Sequence, residues 1–198
     1  MRMIEVESKV RVNDVRQVRK KIRALARLKK KVMKIDDYYT LEDARKYPKK
    51  SLRIRKNGKV YEINFKKRIN YRGGVHAKKE TEFRVSDIAG FLELIKDFGF
   101  KKWIRKEKYS EIYEIEPRFH IELNRVKKLG WFLEIEYLAN PSEIEMARRR
   151  VEKVMSALGI KRKEIVKEGY TKLLWNLEHG KRVKEEGRAR ALGRAGGK

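Results

Sequence analysis

The sequence predicts an α+β fold, a closed antiparallel β-barrel of about eight strands with helices packed outside. The first observation is that polar and apolar residues alternate, which is typical of half-buried strands. This alternation occurs over residues 5–9, 52–55, 61–66, 78–85, 119–124 and 133–137. The other is recurrence of apolar residues every three or four positions in the segments between, as on amphipathic helices. A chain of 198 residues is long enough for one such domain.

The polar faces of the predicted strands carry charges of both signs, at positions 5/7/9, 53/55, 80/82 and 134/136. An open sheet with one face in water would explain the alternation by itself. However, at least three helices need apolar surface to cover. We therefore favour a barrel whose apolar exterior carries the helices and whose charged faces line the interior.

The first helix is predicted to begin at Asn13 and Asp14, which can cap it, and its apolar positions run from Val15 to Leu28. We assign the basic stretch 16–34 to helical structure on this pattern. A second helix is predicted after Ser86, ending near Gly99.

A third helix is predicted after Pro141, with a capping box of Ser142 and Glu145 and an end at Gly159. A short fourth helix is predicted over residues 169–177. A tight turn between strands is predicted at Asn57-Gly58, and a looser turn is predicted at residues 72–74.

The chain has no cysteine and no apolar run long enough to cross a membrane, and its start leads directly into the first strand. We therefore expect no disulfide, no membrane association and, because no room is left for a secretory signal, a cytoplasmic location. The high share of charged residues (41%) and the single glutamine, Gln17, resemble the composition of thermophile proteins.

The net charge of +26 also raises the question of nucleic-acid binding. Much of the excess lies in the stretch 16–34 and in the tail 181–198, which is also explained by a solvated helix face and a disordered end. Nucleic-acid binding is therefore the second interpretation. We predict a folded domain over 1–178 and a basic, disordered tail over 179–198.

Two acidic pairs, Glu5/Glu7 and Glu134/Glu136, lie on predicted strands with one aliphatic residue between their members. A strand places both carboxylates of such a pair on one face, roughly 7 Å apart. Carboxylates are the preferred ligands of Mg²⁺ and Mn²⁺, and four that converge would repel each other unless a metal cation or many basic groups neutralised them. These four residues are therefore candidate metal ligands, and internal salt bridges to basic residues are the alternative.

Motifs in a fixed order carry a family resemblance. They are Glu5-Val6-Glu7-Ser8-Lys9, Asp36-Asp37-Tyr38-Tyr39, the Leu-Arg-x-Arg strand at 51–55, Lys66, the basic-x-Glu-x-Glu strand at 78–82, the Leu-Gly-x-Phe-x-Glu-x-Glu element at 129–136 and residues 169–174. Over about residues 1–178 the chain resembles the CYTH domain of the triphosphate tunnel metalloenzymes. That family includes class IV adenylyl cyclases, thiamine triphosphatases and inorganic triphosphatases.

The resemblance implies a metal-dependent enzyme acting on a triphosphate, with Mg²⁺ or Mn²⁺ as cofactor. It assigns triphosphate binding to Lys9, Arg53, Arg55, Lys66, Lys78, Lys106 and Lys108, and catalysis to Glu7 and Lys9. Residues 36–39 and Tyr170 favour a class IV adenylyl cyclase, which converts ATP to cyclic AMP and pyrophosphate. Two alternatives stay open: a triphosphatase acting on tripolyphosphate or thiamine triphosphate, and a non-catalytic binder of RNA or polyphosphate.

Two positions depart from the family pattern. Asn124 stands where the family has an aspartate that helps to hold metal, and Lys108 stands where it has an arginine. The first change removes a charge, and the second replaces a forked guanidinium by a point charge that grips phosphate with less directionality. Non-specific nucleic-acid binding by the tail and a homodimer are further open expectations.

Overall fold

A computed structural model describes residues 3–43, 45–57, 60–72 and 75–180, with the backbone alone for 57, 66–71 and 78–80. Its strands are β1 (Ile4–Arg11), β2 (Arg27–Thr40), β3 (Leu52–Asn57), β4 (Val60–Arg72), β5 (Val75–Val85), β6 (Lys101–Glu116), β7 (Phe119–Val126) and β8 (Gly130–Ala139). Its helices are α1 (Val15–Leu25), α2 (Ile88–Asp97), α3 (Ile144–Ala157) and α4 (170–180). Single 3₁₀ turns lie at Pro141–Glu143 and Arg162–Glu164. The α+β class is confirmed.

The strands pair in the order β1-β5-β4-β3-β2-β6-β7-β8, and β8 pairs with β1, which makes a closed barrel. All the pairs are antiparallel. The pairing of β1 with β8 places Glu7 opposite Glu136 and Lys9 opposite Glu134. Residues that are directly opposite in an antiparallel pair point to the same face, so these acidic and basic side chains share one side of the sheet.

The apolar faces of the strands lie outside, under the helices. One core cluster joins residues of β1, β7 and β8, such as Val6, Ile121 and Ile135, to Ile22 of α1 and Val151 of α3. A second, smaller cluster joins Ile54 of β3 and Ile63 of β4 to Ile95 of α2. The helices therefore cover the exterior, and the alternate residues of the strands face inward.

The first helix is shorter than the sequence pattern predicts. Asp14 caps α1 by accepting a hydrogen bond from the Gln17 backbone N–H, but the helix ends at Leu25 and β2 starts at Arg27. The assignment of 16–34 to helical structure is thus wrong from residue 27 onward. Lys and Arg are good helix formers, but β2 pairs along nearly its whole length with β6, and this pairing outweighs local propensity.

The second and third helices end where the sequence indicates. Gly99 follows α2 with φ +86°, and Gly159 follows α3 with φ +76°, a region that glycine enters without steric cost. The start of the third differs: a 3₁₀ turn begins at Pro141, and the Glu143 carboxylate accepts a hydrogen bond from the Asn140 N–H at 2.7 Å. The predicted box of Ser142 and Glu145 is therefore wrong by two residues.

The described residues form two compact units, one up to residue 167 and one from residue 168 onward. The first contains the barrel and α1–α3, and the second contains α4. The predicted turns at Gly58 and at 73–74 and the tail 181–198 lie outside the described residues. Within the described ranges, no helix has both the length and the apolar character needed to cross a membrane.

Candidate functional site

The interior of the barrel is lined by ionisable and polar side chains. Among the residues with described side chains it includes Glu5, Glu7, Lys9, Lys34, Asp36, Tyr38, Arg53, Arg55, Asn64, His76, Glu82, Lys106, Lys108, Glu122, Asn124, Glu134 and Glu136. Most of them are buried or nearly so, although they carry charge. Burying charge is costly unless it is paired, so the arrangement of these groups decides what the interior can do.

Three carboxylates meet at one place in this interior. Glu5 and Glu7 on β1 and Glu136 on β8 each offer an oxygen, and these oxygens lie within 4.8 Å of one another. Glu5 and Glu7 are each 8% exposed. Two oxygens on opposite sides of a Mg²⁺ ion are about 4.2 Å apart, so this cluster fits a hard divalent cation after small movements. Three of the four predicted metal ligands are therefore brought together.

The fourth predicted ligand, Glu134, lies in a different environment. Its Oε2 accepts a hydrogen bond from Asn124 Nδ2 at 2.7 Å and lies 3.3 Å from Lys108 Nζ. Asn124 is fully buried, and its contact with Glu134 would become a repulsion if an aspartate stood there. The role of Glu134 in metal binding stays a prediction.

A second anionic centre holds two of the predicted phosphate-binding residues. Asp36 has no exposed surface, and its carboxylate accepts two hydrogen bonds from Arg55 and lies 2.8 Å from Lys106 Nζ. Lys106 also donates to the Tyr38 hydroxyl at 3.1 Å. Burial opposes ionisation of Asp36, but the charges of Lys106 and Arg55 and the Arg55 hydrogen bond hold its pKa well below the usual range.

A third centre is Glu122 on β7, which bridges two lysines. One carboxylate oxygen lies 2.8 Å from Lys34 Nζ and the other lies 2.8 Å from Lys108 Nζ. Burial would raise the pKa of Glu122, but the charges of Lys108 and Lys34 lower it strongly. Lys34 and Lys108 are thereby held side by side.

The two lysines on Glu122 differ in their pKa. Burial lowers the pKa of Lys34, and the single carboxylate of Glu122 does not fully offset this, because Lys108 also repels it. Burial acts on Lys108 too, but Glu122 and Glu134 together raise its pKa above the usual range. Lys34 is therefore the less firmly protonated member of the pair.

The remaining predicted phosphate-binding residues come from β1, β3, β4 and β5. Arg53 lies 3.6 Å from the Glu82 carboxylate, and Lys9 is buried opposite Glu134. Lys66 and Lys78 lie on β4 and β5, where their backbones pair with Glu80 and Glu5 respectively. Their side chains are outside the described set, so their contribution stays a prediction.

Sequence reasoning assigned no phosphate-binding role to Lys34 and saw no role for His76. Lys34 was not predicted as a site residue because the sequence pattern placed it on a helix. His76 was not predicted because it lies beside a predicted turn. His76 lies opposite Glu7 in the β1–β5 pairing, so the two side chains point to the same face. The inward orientation of Lys34 and of His76 follows only from the register of the strand pairings.

Comparison with known proteins agrees with this geometry. The family model described as the CYTH domain matches residues 3–170. The chain belongs to the CYTH family. No protein of curated function matches this sequence.

Two solved structures from Pyrococcus horikoshii OT3 are similar to this CYTH chain. The PH1012 protein is 32% identical, with a TM-score of 0.71 over 85% of this chain and 98% of its own. The PH1819 protein is 30% identical, with a TM-score of 0.71 over 86% of this chain and 97% of its own. A proposed adenylate cyclase of Vibrio parahaemolyticus is 16% identical, with a TM-score of 0.69 over 88% and 99%, and shows the shared fold alone.

Proposed function

We propose that this protein is a divalent-metal-dependent enzyme that acts on a triphosphate held inside the barrel. The observation that carries the proposal is the presence of two kinds of site in one interior. The cluster of Glu5, Glu7 and Glu136 can hold a cation, and the same interior contains the cations of Arg55 and Lys106. A metal-bound triphosphate needs both.

The charges of the interior support this assignment. Asp36 carries one negative charge against two positive groups, Arg55 and Lys106, and Glu122 likewise stands between Lys34 and Lys108. At the first centre two cations face one carboxylate, whereas at the second Glu134, 3.3 Å from Lys108, supplies a second carboxylate. Arg55 can bond bidentately, and a charge-assisted hydrogen bond to a phosphate oxygen is about twice as strong as a neutral one.

Glu5, Glu7 and Glu136 would hold Mg²⁺ or Mn²⁺, and a divalent cation there would supply electrostatic stabilisation of the charge that develops in the reaction. The chain's own groups supply binding and orientation. Lys9, Arg53, Arg55, Lys106 and Lys108 hold the triphosphate oxygens, and Asp36 and Glu122 fix the positions of the cations that do so. Burial of these groups strengthens each contact, because little water competes for them.

Adenylyl cyclase activity is the first candidate, since residues 36–39 and Tyr170 resemble the cyclase branch. Triphosphatase activity is the second, and the contacts of the residues that carry the cyclase resemblance leave it equally open. Asp36 and Tyr38 contact Arg55 and Lys106, so they support phosphate binding, which both reactions need. A fold neighbour, HpAC1 from Hippeastrum, is 16% identical and is described as having a dominant triphosphatase activity.

Product analysis tests the proposal and separates the two candidates. The protein is incubated with ATP, tripolyphosphate or thiamine triphosphate, in Mg²⁺, in Mn²⁺ and in EDTA. Cyclic AMP with pyrophosphate indicates a cyclase, and orthophosphate indicates a triphosphatase. The variant Glu7→Gln, which removes one carboxylate of the metal cluster, should lose at least tenfold in turnover, whereas Glu93→Gln on the exposed side of α2 should not.

If neither product forms from any substrate, the catalytic proposal fails. Metal-independent binding of tripolyphosphate would then point to the third interpretation, a non-catalytic binder of RNA or polyphosphate. Equal activity in Glu7→Gln and Glu93→Gln would also contradict the proposal, since the chemistry would then lie elsewhere.

A further inference from the structure

One face of α1 forms a cationic surface outside the barrel. Arg16, Arg19, Lys20 and Arg23 line a single open cavity of about 290 Å³. Their spacing of three and four residues places them on one side of the helix. All four lining residues are basic, so we call this feature the α1 cationic surface.

The contacts of these side chains show which of them are available to a ligand. Arg19 makes two hydrogen bonds to the Glu111 carboxylate, at 2.9 and 3.0 Å. Arg16 and Lys20 are exposed, and within the described part of the chain no carboxylate lies within ion-pair distance of either. Two cations on this surface therefore have no carboxylate partner among the described residues.

The positive surface extends from α1 to β2. Lys31 is exposed and lies opposite Glu111 in the β2–β6 pairing, so Glu111 stands between Lys31 and Arg19. Although burial opposes ionisation of Glu111, Arg19 and, to a smaller extent, the charge of Lys31 lower the pKa of its carboxyl. One carboxylate is thus shared by a helix cation and a strand cation, and the surface keeps a net positive charge.

We propose that the α1 cationic surface binds the phosphodiester backbone of a nucleic acid. Arg16 and Arg23 are seven residues apart, which is about 10 Å along a helix, so the row of cations is long enough to contact more than one phosphate of the same strand. The surface is separate from the barrel interior, and the proposal does not depend on the proposed catalytic function.

Other partners fit this surface less well. A small anion in an open cavity stays in contact with water, where each ion pair is weak, whereas a polyanion gains from the counterions released at several contacts together. A helix that binds a membrane surface needs an exposed apolar face. Of the large apolar residues of α1, Val15, Val18 and Ile22 belong to the core, and Leu25 alone is exposed, at 39%, which does not make an apolar face.

The test measures binding of a 20-nucleotide single-stranded RNA with a 5′-hydroxyl end by fluorescence anisotropy between 50 and 300 mM KCl. This RNA has no triphosphate, so it does not address the barrel interior. The variant Arg16→Gln/Lys20→Gln removes two cations and keeps Arg19 and Arg23, which contact Glu111 and Tyr113. Its control, Lys96→Gln/Lys101→Gln, removes two exposed cations at α2 and at the start of β6.

We expect wild type and control to bind alike. The α1 variant should bind more weakly at every salt concentration, and its slope of log K against log[KCl] should be shallower by about 1.4, which corresponds to two lost single-strand phosphate contacts. Unchanged melting temperature and unchanged turnover of tripolyphosphate show that the fold and the interior are intact. A single-stranded DNA of the same sequence should respond in the same way, because the contacts are to phosphate.

Four results would overturn the proposal. They are no binding by wild type at 50 mM KCl, an equal loss in the α1 variant and its control, full loss in a full-length variant whose basic residues in 181–198 are changed to Gln, and binding to vesicles of anionic lipid without binding to RNA. The third result would assign binding to the tail. The fourth would assign the surface to a membrane.

Discussion

Asp36 and Arg55 form a two-point ion pair inside the barrel, with Arg55 Nε and Nη2 donating to the two carboxylate oxygens at 2.5 and 2.9 Å. Lys106 Nζ lies 2.8 Å from one of the same oxygens. One buried anion therefore fixes two cations from different strands, β3 and β6. The positions of these two cations are therefore set without a ligand.

Replacement of Asp36 by Asn should be strongly destabilising. The variant leaves Arg55 and Lys106 buried without their counter-charge, and breaking a buried pair in this way costs about 3–5 kcal/mol. Urea unfolding at pH 7 measures the effect. Asp37→Asn is the matched control, because Asp37 pairs with the exposed cations Lys102 and Arg105 and should lose much less. Equal losses in the two variants would contradict the role given to Asp36.

The same variant should respond unusually to a triphosphate. Tripolyphosphate can supply negative charge to Arg55 and Lys106, so it should raise the melting temperature of Asp36→Asn by more than that of wild type. The measurement is a thermal shift at a fixed excess of tripolyphosphate with Mg²⁺. A smaller shift in the variant would show that these two cations do not meet the ligand.

Acid should destabilise the protein through Asp36 and Glu122. Both have a pKa in the folded chain below the value in an unfolded chain, so their ionised forms stabilise the fold. This contribution is fully present above about pH 5 and is lost as the pH falls through the ordinary carboxyl range near 4 toward the lower folded values. In Glu122→Gln the free energy of unfolding should fall less steeply between pH 5 and pH 3 than in wild type. A slope equal to that of wild type would contradict this.

Metal binding should depend more on Glu7 than on Glu134. Glu7 belongs to the cluster of converging carboxylates, whereas Glu134 is engaged with Lys108 and Asn124. Calorimetric titration with Mn²⁺ should show at least a tenfold loss of affinity in Glu7→Gln and a smaller loss in Glu134→Gln. The opposite order would mean that Glu134 moves to the metal on binding and leaves its present partners.

Asn124→Asp should make stability dependent on metal. The new carboxylate would face Glu134 across a contact that is now 2.7 Å, and two like charges at this distance repel. We expect a lower melting temperature than wild type in EDTA and a larger rise on addition of Mn²⁺. A variant as stable as wild type in EDTA would indicate that Lys108 already compensates the added charge.

Lys34 should contribute to triphosphate affinity. Its side chain is 16% exposed and is held by Glu122 beside Lys108, which the family resemblance assigns to phosphate. Loss of one charge-assisted hydrogen bond corresponds to about 1.5–3 kcal/mol, so Lys34→Met should raise the dissociation constant of tripolyphosphate at least tenfold. Lys30→Met, which changes an exposed residue of the same strand, should leave it unchanged.

The sequence predicted those parts of the site that lie within one strand. Glu5 and Glu7 share a face because strand periodicity is two, and this held without knowledge of the partner strand. The contact of Glu7 with Glu136 needs the pairing of the first and last strands. It could be expected only from a closed barrel, which the charge pattern favoured over an open sheet.

The centres at Asp36 and Glu122 could not be predicted in the same way. Lys34 and Glu122 are far apart in the chain, and they meet because β6 lies between β2 and β7 with a definite register. A shift of one residue in either pairing would turn one of the two away. Strand β2 itself was not predicted, because its first half carries lysine and arginine on both faces and therefore shows no alternation of polar and apolar residues.

The pairing of β1 with β8 also determines the order in which the protein can fold. A nascent chain presents Glu7 long before Glu136 has been synthesised, so the first strand must wait for the last before it gains its second neighbour. Contacts between such distant segments make folding slow, because the entropy of loop closure is lost before the stabilising contacts form. The acidic cluster exists only once this pairing has formed, so uptake of the proposed Mn²⁺ would report that the ring of strands is complete.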